Sequence, residues 1–502
     1  MKKIGRQLEK TRVRYAEQHL NNGSNCYFGI VFCCKTEENV LYCPYMKKIK
    51  VFFAVLACKM ARTTIRLLGR GGTDLPGRIA LKICPDLLRE LAKTVTTVIV
   101  TGTNGKTTTS RMIEQAFIDS GISYFANKTG ANLISGITAE FAVHSTLSGK
   151  CRSPWAVIES DEAAFKQVGK ALNPKAVVVT NVFRDQLDRY GEVTHTLGNI
   201  RIGLEGCPNA VVCLNADDSL SASLAGDIPN EILFYGVNTP IYKTRVEEVS
   251  DAPYCIRCKS EYRYDYVTYG HLGGYRCPKC GYARPVPQVA VEEVLTSDTE
   301  HSEVVISMDG KRYDTNVNLP GGYNIYNAVS AMAAGKALGL EAEIVSRSLS
   351  QFACGFGRME KFEINGHSLR MILIKNPAGC NQVLNFLTDA TEPFLFAACL
   401  NDRSFDGKDV SWIWDVDFEK LAEMGDLLTG VYVSGIRADD MATRFKYAGV
   451  PTEKLQVFRS YDALLDACMR QDRPVFVMPT YTAMLDLRAA VSKNYGIKNY
   501  WE

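Results

Sequence analysis

Long hydrophobic runs are absent from this sequence of 502 residues, and so is any strong charge imbalance. The longest apolar stretches, residues 26–34 and 51–58, are far shorter than the ~20 residues that a membrane-spanning helix needs. The net charge is only +3, which gives no reason to expect a nucleic-acid partner. We therefore expect neither a membrane-spanning helix nor a nucleic-acid-binding protein.

Cysteine is plentiful, with 17 residues, but it does not form the regular framework of a disulfide-rich secreted protein. Most of the cysteines stand singly in apolar surroundings, and only two pairs have metal-binding spacing. This usage predicts a reducing, cytoplasmic compartment and one metal site. The length and the 46% hydrophobic content are enough for two to four domains with their own cores.

The segment 98–112, VIVTGTNGKTTTSRM, has the order of a phosphate-binding loop: a β-branched strand, a glycine-rich turn and the start of a helix. Glycine lets backbone N–H groups approach phosphate oxygens closely. Lys106 then supplies a positive charge, and Thr107 offers a hydroxyl to Mg²⁺. The loop is shorter than the strict P-loop pattern and matches its GTNGKT variant. The predicted nucleotide-binding residues are Gly102, Thr103, Asn104, Gly105, Lys106, Thr107 and Thr108.

Buried strands are predicted at 155–162, where the segment ends in carboxylates, and at 176–180 and 210–214, with helical patterns between them. This alternation predicts a parallel sheet covered by helices, with its ligand at the carboxyl ends of the strands. Glu159 stands at one such end, where we expect it either to bind Mg²⁺ directly or to hold another of its ligands. An aspartate after a strand is often only a helix cap, but polar groups follow successive strands here: Asn181, Arg184, Asp185, Asp188, Asn215, Asp217 and Asp218.

Four cysteines form the pattern C-x₂-C-x₁₈-C-x₂-C, which is typical of a zinc ribbon: Cys255, Cys258, Cys277 and Cys280. Four thiolates leave no open position, so the predicted role of Zn²⁺ is structural; two disulfides or free thiols are the alternatives. The segment between the pairs alternates like a hairpin. Its tyrosines and arginines either bind single-stranded nucleic acid or pack the hairpin, and we favour packing.

The first 45 residues look unlike the rest, because the Asn21-Asn22-Gly23 segment interrupts any helical pattern. We expect 1–45 to be an N-terminal extension that is disordered or not native, with Met46 as an alternative start. Apolar and basic residues then recur at helical spacing up to Gly69. The basic face of this helix either meets a membrane or an acidic partner, or is the solvated side of a packing helix, which we favour.

Beyond the ribbon, Asn324 and Asn327 lie one helical turn apart after a glycine turn, and Arg358 lies in a glycine-flanked loop. An arginine there is either merely solvated or neutralises phosphate charge. Strand-like segments at 371–374, 393–398, 431–435 and 475–479 then alternate with helical patterns and predict a Rossmann-like domain. The predicted domains are 46–360, which contains the ribbon at 250–288, and 361–502.

These motifs together resemble the Mur ligases, which form peptide bonds with ATP, and the related folylpolyglutamate synthetases. The resemblance rests on GTNGKT, Glu159, NADD, G-x-x-N-x-x-N-A and GRME. The closer resemblance, from Met46 onward, is to the MurT branch of this family. It is carried by TDLPG, NVFRDQLDRYGE, the four-cysteine ribbon, KNPAGCN and NDRSFDGKDVSWIWD.

The resemblance implies an α/β fold with a Mur ligase-type central P-loop ATPase domain, an inserted zinc ribbon and a Rossmann-like C-terminal domain. It implies ATP-dependent amidation of the α-carboxylate of D-glutamate in the stem peptide of lipid II, at the inner face of the plasma membrane. Thr107 and Glu159 would hold Mg²⁺, Asn324 and Asn327 would contact the adenine, and Arg358 would face the γ-phosphate. Unlike classical Mur ligases, the chain has no clear counterpart of their carbamylated lysine, and Asp185 or Gln186 replaces a histidine.

The resemblance also implies a partner, a GatD-type glutamine amidotransferase subunit that supplies ammonia. None of the six histidines stands in a recognisable Cys-His motif, so the glutaminase should be another polypeptide. Asp409 is the residue expected to complete the partner's Cys-His pair, with Asp402 and Asp406 as competitors and a solvated loop aspartate as the alternative. Two other functions stay open: a self-sufficient amino-acid ligase, and an ATP-regulated zinc-ribbon nucleic-acid binder.

Overall fold

A computed structural model describes residues 44–67, 74–127, 131–184, 193–241, 251–297, 300–352, 358–388 and 390–497. The predicted extension therefore lies outside the described residues, except for its last two positions. Among the helices that the structure describes, none is both long enough and apolar enough to cross a bilayer.

Among the described residues, three helices precede the first strand: α1 (Pro44–Leu67), α2 (Asp74–Ile83) and α3 (Leu87–Ala92). Within α1, Val51, Ala54, Val55 and Cys58 recur at helical spacing, and all are buried in one core cluster with residues of α3 and of the central sheet. The interpretation of this segment as a packing helix is therefore confirmed.

In the part of the chain that the structure describes, the central sheet has nine strands, of which the first six form a parallel array in the order β2-β3-β1-β4-β5-β6. Their β-branched residues are buried on both faces, as a sheet covered by helices requires. The parallel sheet predicted from the strand pattern is confirmed. Its strands are β1 (Thr96–Thr101), β2 (Tyr124–Ala126), β3 (Trp155–Glu159), β4 (Ala176–Val179), β5 (Val211–Asn215) and β6 (Ile232–Val237). The intervening helices are α4 (Lys106–Asp119), α5 (Ile134–His144), α6 (Glu162–Leu172), α7 (Val193–Glu205) and α8 (Ser219–Ser223).

After β6 the chain makes a separate hairpin, β7 (Arg263–Tyr269) and β8 (Leu272–Arg276), which is the hairpin predicted inside the ribbon. It then returns to the central sheet in three further strands. β9 pairs parallel with β6, and β10 and β11 extend the sheet antiparallel, which the sequence analysis did not anticipate. These elements are β9 (Val289–Ser297), β10 (Ser302–Met308), β11 (Lys311–Val317), α9 (Gly322–Leu338) and α10 (Ala342–Gln351).

A second sheet follows, with six strands in the residues described from 358 onward, in the order β12-β13-β17-β14-β15-β16. Of these six strands, only β12 is antiparallel to its neighbour. Parallel strands with intervening helices are the Rossmann-like arrangement expected for the C-terminal region. The strands are β12 (Arg358–Ile364), β13 (His367–Ile372), β14 (Phe394–Cys399), β15 (Leu428–Ser434), β16 (Leu455–Val457) and β17 (Val475–Pro479). The helices are α11 (Pro377–Thr388), α12 (Glu419–Glu423), α13 (Ala438–Tyr447), α14 (Tyr461–Cys468) and α15 (Tyr481–Tyr495).

Candidate active site

The glycine-rich loop joins β1 to the first residue of α4, Lys106. Gly102 and Gly105 have φ values of 117° and 82°, in the left-handed region that favours glycine. A Cβ at Gly102 would collide with Asn181, and one at Gly105 would collide with Asn327. The loop is therefore closely packed against its neighbours, while its backbone N–H groups lie at the start of a helix, as anion binding requires.

Lys106 is buried, and its ammonium donates hydrogen bonds to the carbonyl oxygens of Gly102 and Thr103 and, at 3.0 Å, to Oε1 of Glu162. Burial by itself would lower the pKa of Lys106, but the nearby carboxylates, with that of Glu162 foremost, raise it above its ordinary value. The lysine is therefore a fixed cation directly beneath the loop.

Thr107 and Glu159 are adjacent, because the Thr107 hydroxyl donates to Glu159 Oε2 at 2.8 Å. Glu159 ends β3, and its backbone is clamped by Asn127, which accepts from its N–H at 2.9 Å and donates to its carbonyl at 2.8 Å. One hydroxyl and one carboxylate side by side are oxygen ligands of the kind that Mg²⁺ takes together with substrate phosphates.

A cleft opens beside the loop, between the central sheet and the C-terminal domain. Asn324 and Asn327 lie on its wall in the first two turns of α9, and Asn327 Nδ2 donates to Asn324 Oδ1 at 2.9 Å. Its apolar lining and its few convergent amides suit a flat heteroaromatic ligand. The other lining residues are Asn104, Gly105, Thr108, Asn181, Tyr269, Tyr323, Met359, Ile372, Leu373, Lys375, Asn376, Ala378, Gly379, Gln382 and Val383.

The C-terminal domain reaches the phosphate-binding loop through Asn376, which precedes α11. Its Nδ2 donates to Asn104 Oδ1 at 3.1 Å, and its Oδ1 accepts from Gly379 N at 2.8 Å, which caps the helix. Lys375 lines the same cleft. The second domain therefore brings an amide and a cation to the edge of the loop that the first domain provides.

The four ribbon cysteines form a single cluster in which all four Sγ atoms lie within 4.8 Å of one another. Sγ of Cys255 is 3.5 Å from that of Cys280, and Sγ of Cys258 is 3.4 Å from that of Cys277. Four converging sulfur donors have the chemistry of a closed tetrahedral zinc site. Tyr262 and Tyr275 pack beside the cluster as buried residues, so hairpin packing, the favoured interpretation of these tyrosines, is confirmed.

The three candidate aspartates of the C-terminal domain have different environments. Asp409 is exposed, and hydrogen bonds from Ser411, one of them 2.8 Å long from its N–H, lower the pKa of Asp409 below its ordinary value. Asp406 is buried and accepts from Thr482 N at 2.7 Å and from Arg403 N at 3.2 Å. Asp402 lies 3.7 Å from a guanidinium nitrogen of Arg437. Of the three, Asp409 is the one whose carboxylate faces solvent on a surface cavity.

Family comparisons agree with this arrangement. Residues 100–275 match the model of the Mur ligase middle domain, and residues 373–484 match that of the MurT ligase C-terminal domain. The chain is 34% identical over 452 residues to the "Lipid II isoglutaminyl synthase (glutamine-hydrolyzing) subunit MurT" of Streptococcus pneumoniae, covering 90% of this chain and 99% of the relative. The chain belongs to the MurT family. A second relative of the same name, from Staphylococcus aureus, is 32% identical over 88% of this MurT chain and 98% of its own length.

The Mur ligase fold of this MurT chain is also found in solved structures. A pseudomurein peptide ligase type C from Methanothermus fervidus superposes with a TM-score of 0.60 at 20% identity, covering 82% of this chain and 80% of that structure. The fold class predicted from the motifs, with a Mur ligase-type central domain and a Rossmann-like C-terminal domain, is confirmed.

Of the predicted residues, five line one cleft of the MurT chain: Asn104, Gly105, Thr108, Asn324 and Asn327. Glu159 is hydrogen-bonded to Thr107 of the same loop. The side chain of Arg358, Asp185, Gln186 and Asp188 lie outside the described residues. Asp217 and Asp218 were expected near the ligand but are instead fully buried. Asp217 accepts hydrogen bonds from Arg284 of the ribbon at 2.5 Å and from Tyr326 of α9 at 2.6 Å. Asp218 Oδ1 lies 3.1 Å from Nε2 of His271, which is in the ribbon hairpin. The sequence predicted no site role for Glu162, Lys375 or Tyr269. Two of them stand in motifs that could have indicated one: Glu162 ends the ESDE segment, and Lys375 begins KNPAG.

Proposed function

We propose that this chain is the ATP-dependent, amide-forming subunit of a lipid II isoglutaminyl synthase. ATP would phosphorylate the α-carboxylate of D-glutamate in the stem peptide of lipid II, with release of ADP. Ammonia would then attack the acyl phosphate, forming the amide of D-isoglutamine while phosphate leaves. The observation that carries this proposal is the 34% identity that spans 99% of a relative with that printed name.

The residues of the cleft fit the first step. Phosphoryl transfer needs charge neutralisation and alignment rather than covalent help from the protein. Lys106 would neutralise the β- and γ-phosphates, the loop amides would hold them, and Thr107 with Glu159 would hold Mg²⁺, which supplies further neutralisation when it is bound. Asn324 and Asn327, which line the same cleft as the loop, would contact the adenine.

The contact between Asn376 and Asn104 fits the second step, because it closes the C-terminal domain over the phosphate-binding loop. An acyl phosphate is hydrolysed by water, so closure protects it until ammonia arrives. Lys375, from the same segment, would add positive charge near the phosphates. The four-cysteine cluster would hold one structural Zn²⁺.

Ammonia would come from a separate GatD-type glutamine amidotransferase subunit, with lipid II presented at the inner face of the plasma membrane. Glutamine hydrolysis needs a reactive thiolate, and burial raises the pKa of the Cys380, Cys399 and Cys468 thiols, which makes them poor nucleophiles. Asp409 is exposed and anionic, so it is available to orient a histidine of that partner.

A nucleophile test separates this function from a self-sufficient ligase. The purified chain is given ATP, Mg²⁺ and lipid II, together with either ammonium chloride or single amino acids, and products are followed by mass spectrometry. We expect amide formation with ammonia, and with glutamine only after the amidotransferase subunit is added. Peptide-bond formation with an amino acid, or release of ammonia from glutamine by the chain alone, would contradict the proposal.

A further inference from the structure

The turn of the ribbon hairpin is buried beside the cleft, at the opposite end of the hairpin from the cysteines. This turn, Tyr269–Leu272, is called the hairpin tip below. Tyr269 is 3% exposed, and His271 and Leu272 are fully buried. Tyr269 and Leu272 belong to the core cluster of the central domain, and Tyr269 also lines the cleft. A metal-binding insertion thus reaches the wall of the proposed nucleotide site.

The hairpin tip packs around the side chain of Phe183. The ring of Tyr269 stacks on that of Phe183 with centroids 5.6 Å apart and an angle of 8° between the rings, and the His271 ring lies 4.4 Å away. Gly270, with φ of 54°, lies against the same ring, where an added Cβ would come within 2.7 Å. Three consecutive residues of the tip therefore enclose one aromatic side chain.

Phe183 is bonded in turn to the phosphate-binding loop. The Thr103 hydroxyl accepts from Phe183 N at 3.0 Å and lies 3.2 Å from Phe183 O, to which it donates. The neighbouring Asn181 accepts from Thr103 N at 2.8 Å through its carbonyl and from Asn104 N at 2.9 Å through its side chain. The segment 181–183 therefore lies between the hairpin tip and the loop, in contact with both.

A second connection passes through a buried aspartate. His271 Nε2 lies 3.1 Å from Asp218 Oδ1, and Asp218 Oδ2 accepts from Val182 N at 2.8 Å. All of these groups are fully buried, so the contacts are shielded from water and are costly to break. The ring contacts and the aspartate contacts converge on the same three-residue segment.

We propose that the zinc ribbon positions the phosphate-binding loop: the four-cysteine cluster fixes the hairpin, and the hairpin tip sets segment 181–183 and, through it, Thr103 and Asn104. The proposal rests on the proposed nucleotide role of the cleft. Tyr269 and His271 are positioning residues in this scheme. Because linkage is reciprocal, bound metal tightens nucleotide binding, and bound nucleotide retains the metal by the same factor.

The first experiment removes the metal and measures nucleotide affinity. The zinc-loaded chain is stripped with a nitrogen-donor chelator in excess Mg²⁺, since such a chelator leaves the harder ion in place. A fluorescent ATP analogue is then titrated into both forms, and circular dichroism follows the fold. We expect the dissociation constant to rise by about tenfold or more on stripping, which corresponds to ~1.4 kcal/mol or more of coupling.

The second experiment uses the zinc-loaded chain and so does not depend on the stripped form staying folded. Release of zinc to a colorimetric chelator is timed with and without Mg²⁺–ADP; the nucleotide should slow release in the wild type. His271→Ala should weaken nucleotide binding and abolish most of this slowing. Arg263→Ala is the matched control, because this residue is exposed at the far end of the same hairpin and should change neither quantity.

The outcomes separate the two proposals. If the zinc-loaded chain binds no nucleotide, the proposed function fails and this inference falls with it. If it binds nucleotide equally well after stripping, the ribbon does not position the loop. If stripping unfolds the chain, the release experiment decides: slowing by nucleotide that His271→Ala removes supports the proposal, and release unaffected by nucleotide overturns it.

Discussion

The ammonium of Lys106 and the carboxylate of Glu162 form a buried ion pair, with Nζ 3.0 Å from Oε1. The ammonium is also bonded to Gly102 O and Thr103 O, so in this structure it is directed into its own loop. Incoming phosphate would therefore compete with Glu162 and two carbonyl groups for one cation. The energy of this pair and its role in catalysis can be separated by mutation.

Lys106→Met should abolish amidation and also destabilise the chain. Removing the cation leaves Glu162 as an unpaired buried carboxylate, and breaking a buried pair costs about 3–5 kcal/mol. The double variant Lys106→Met/Glu162→Gln should recover most of the lost stability but none of the activity, because the phosphates still lack their cation. Chemical denaturation and ammonia-driven amidation measure the two effects; recovery of activity in the double variant would contradict the role of Lys106.

The ion pair of Lys106 and Glu162 also predicts how the stability of the chain changes with pH. Burial lowers the pKa of Lys106, but the nearby carboxylates, Glu162 foremost, raise it further than burial lowers it. The net pKa therefore lies above the ordinary value of a lysine. A raised lysine pKa contributes stability that is complete below the unfolded value, about 10.4, and is lost as the pH rises through the folded value. In Lys106→Met the carboxyl of Glu162 loses the lysine that lowers its pKa, while burial still raises that pKa, so the variant becomes less stable as the pH rises above the unfolded value of about 4.3. The stability difference between wild type and the variant should therefore not shrink between about pH 7 and pH 9. A decline within that range, measured by denaturation, would contradict the assignment.

Asp409→Asn should separate the two ammonia sources. Ammonia-driven amidation should be unchanged, since the bond of this side chain among the described residues is to Ser411 of its own segment. Glutamine-driven amidation by the two-subunit complex should fall, by up to roughly 10⁴-fold, because an asparagine does not stabilise a histidine cation. Equal loss with ammonia and with glutamine would contradict the role assigned to Asp409.

Asp406 provides the comparison for that test. Its buried carboxylate accepts from Thr482 N and Arg403 N, so Asp406→Ala leaves both donors, that of the buried Thr482 included, without this acceptor. We expect a loss of at least about 1–3 kcal/mol in the free energy of unfolding, and parallel losses in both amidation assays. A selective loss of the glutamine-driven reaction would instead make Asp406 the residue that serves the partner.

The features that the sequence predicts well are local ones. The strand, loop and helix of the phosphate-binding site lie within 98–112, and the alternating strands of the parallel sheet carry their β-branched pattern with them. The ribbon cysteines are recognisable too, because the short spacing within each pair is typical of a zinc site. Each of these features is specified by neighbouring residues, which a single sequence displays.

The features that were missed depend on distant residues. Asn376 and Asn104 are 272 positions apart, and Lys106 and Glu162 are 56 apart, so neither pair leaves a periodic signal. Asp218 was expected at the ligand because it follows a strand, yet the ribbon, which lies later in the chain, occupies that strand end. The antiparallel strands β10 and β11 have ordinary strand patterns that do not reveal which edge they join. Tertiary packing decides all of these.

The contact of the C-terminal domain with the loop predicts an effect on ATP affinity. Asn376→Asp keeps the oxygen that accepts from Gly379 N but replaces the donor to Asn104 Oδ1 with a second acceptor oxygen. Two acceptors facing each other, with a negative charge beside the proposed phosphates, should raise the KM for ATP by about tenfold or more, with the melting temperature nearly unchanged. Steady-state kinetics with ammonia measure it. Asn376→Ala, which loses the helix cap as well, should cost about 1 kcal/mol of stability.

The cysteine cluster predicts one zinc ion per chain. Elemental analysis of protein purified without chelators should give this ratio, because four thiolates within 4.8 Å form a closed tetrahedral donor set. Cys255→Ser should lose the metal and lower the melting temperature, since binding energy at such a site contributes to folding. Cys399→Ala, a buried cysteine of the C-terminal domain, is the control and should keep the full ratio. Wild-type protein free of metal, with its intact mass showing two disulfides, would contradict the zinc site and support cystine bridges instead.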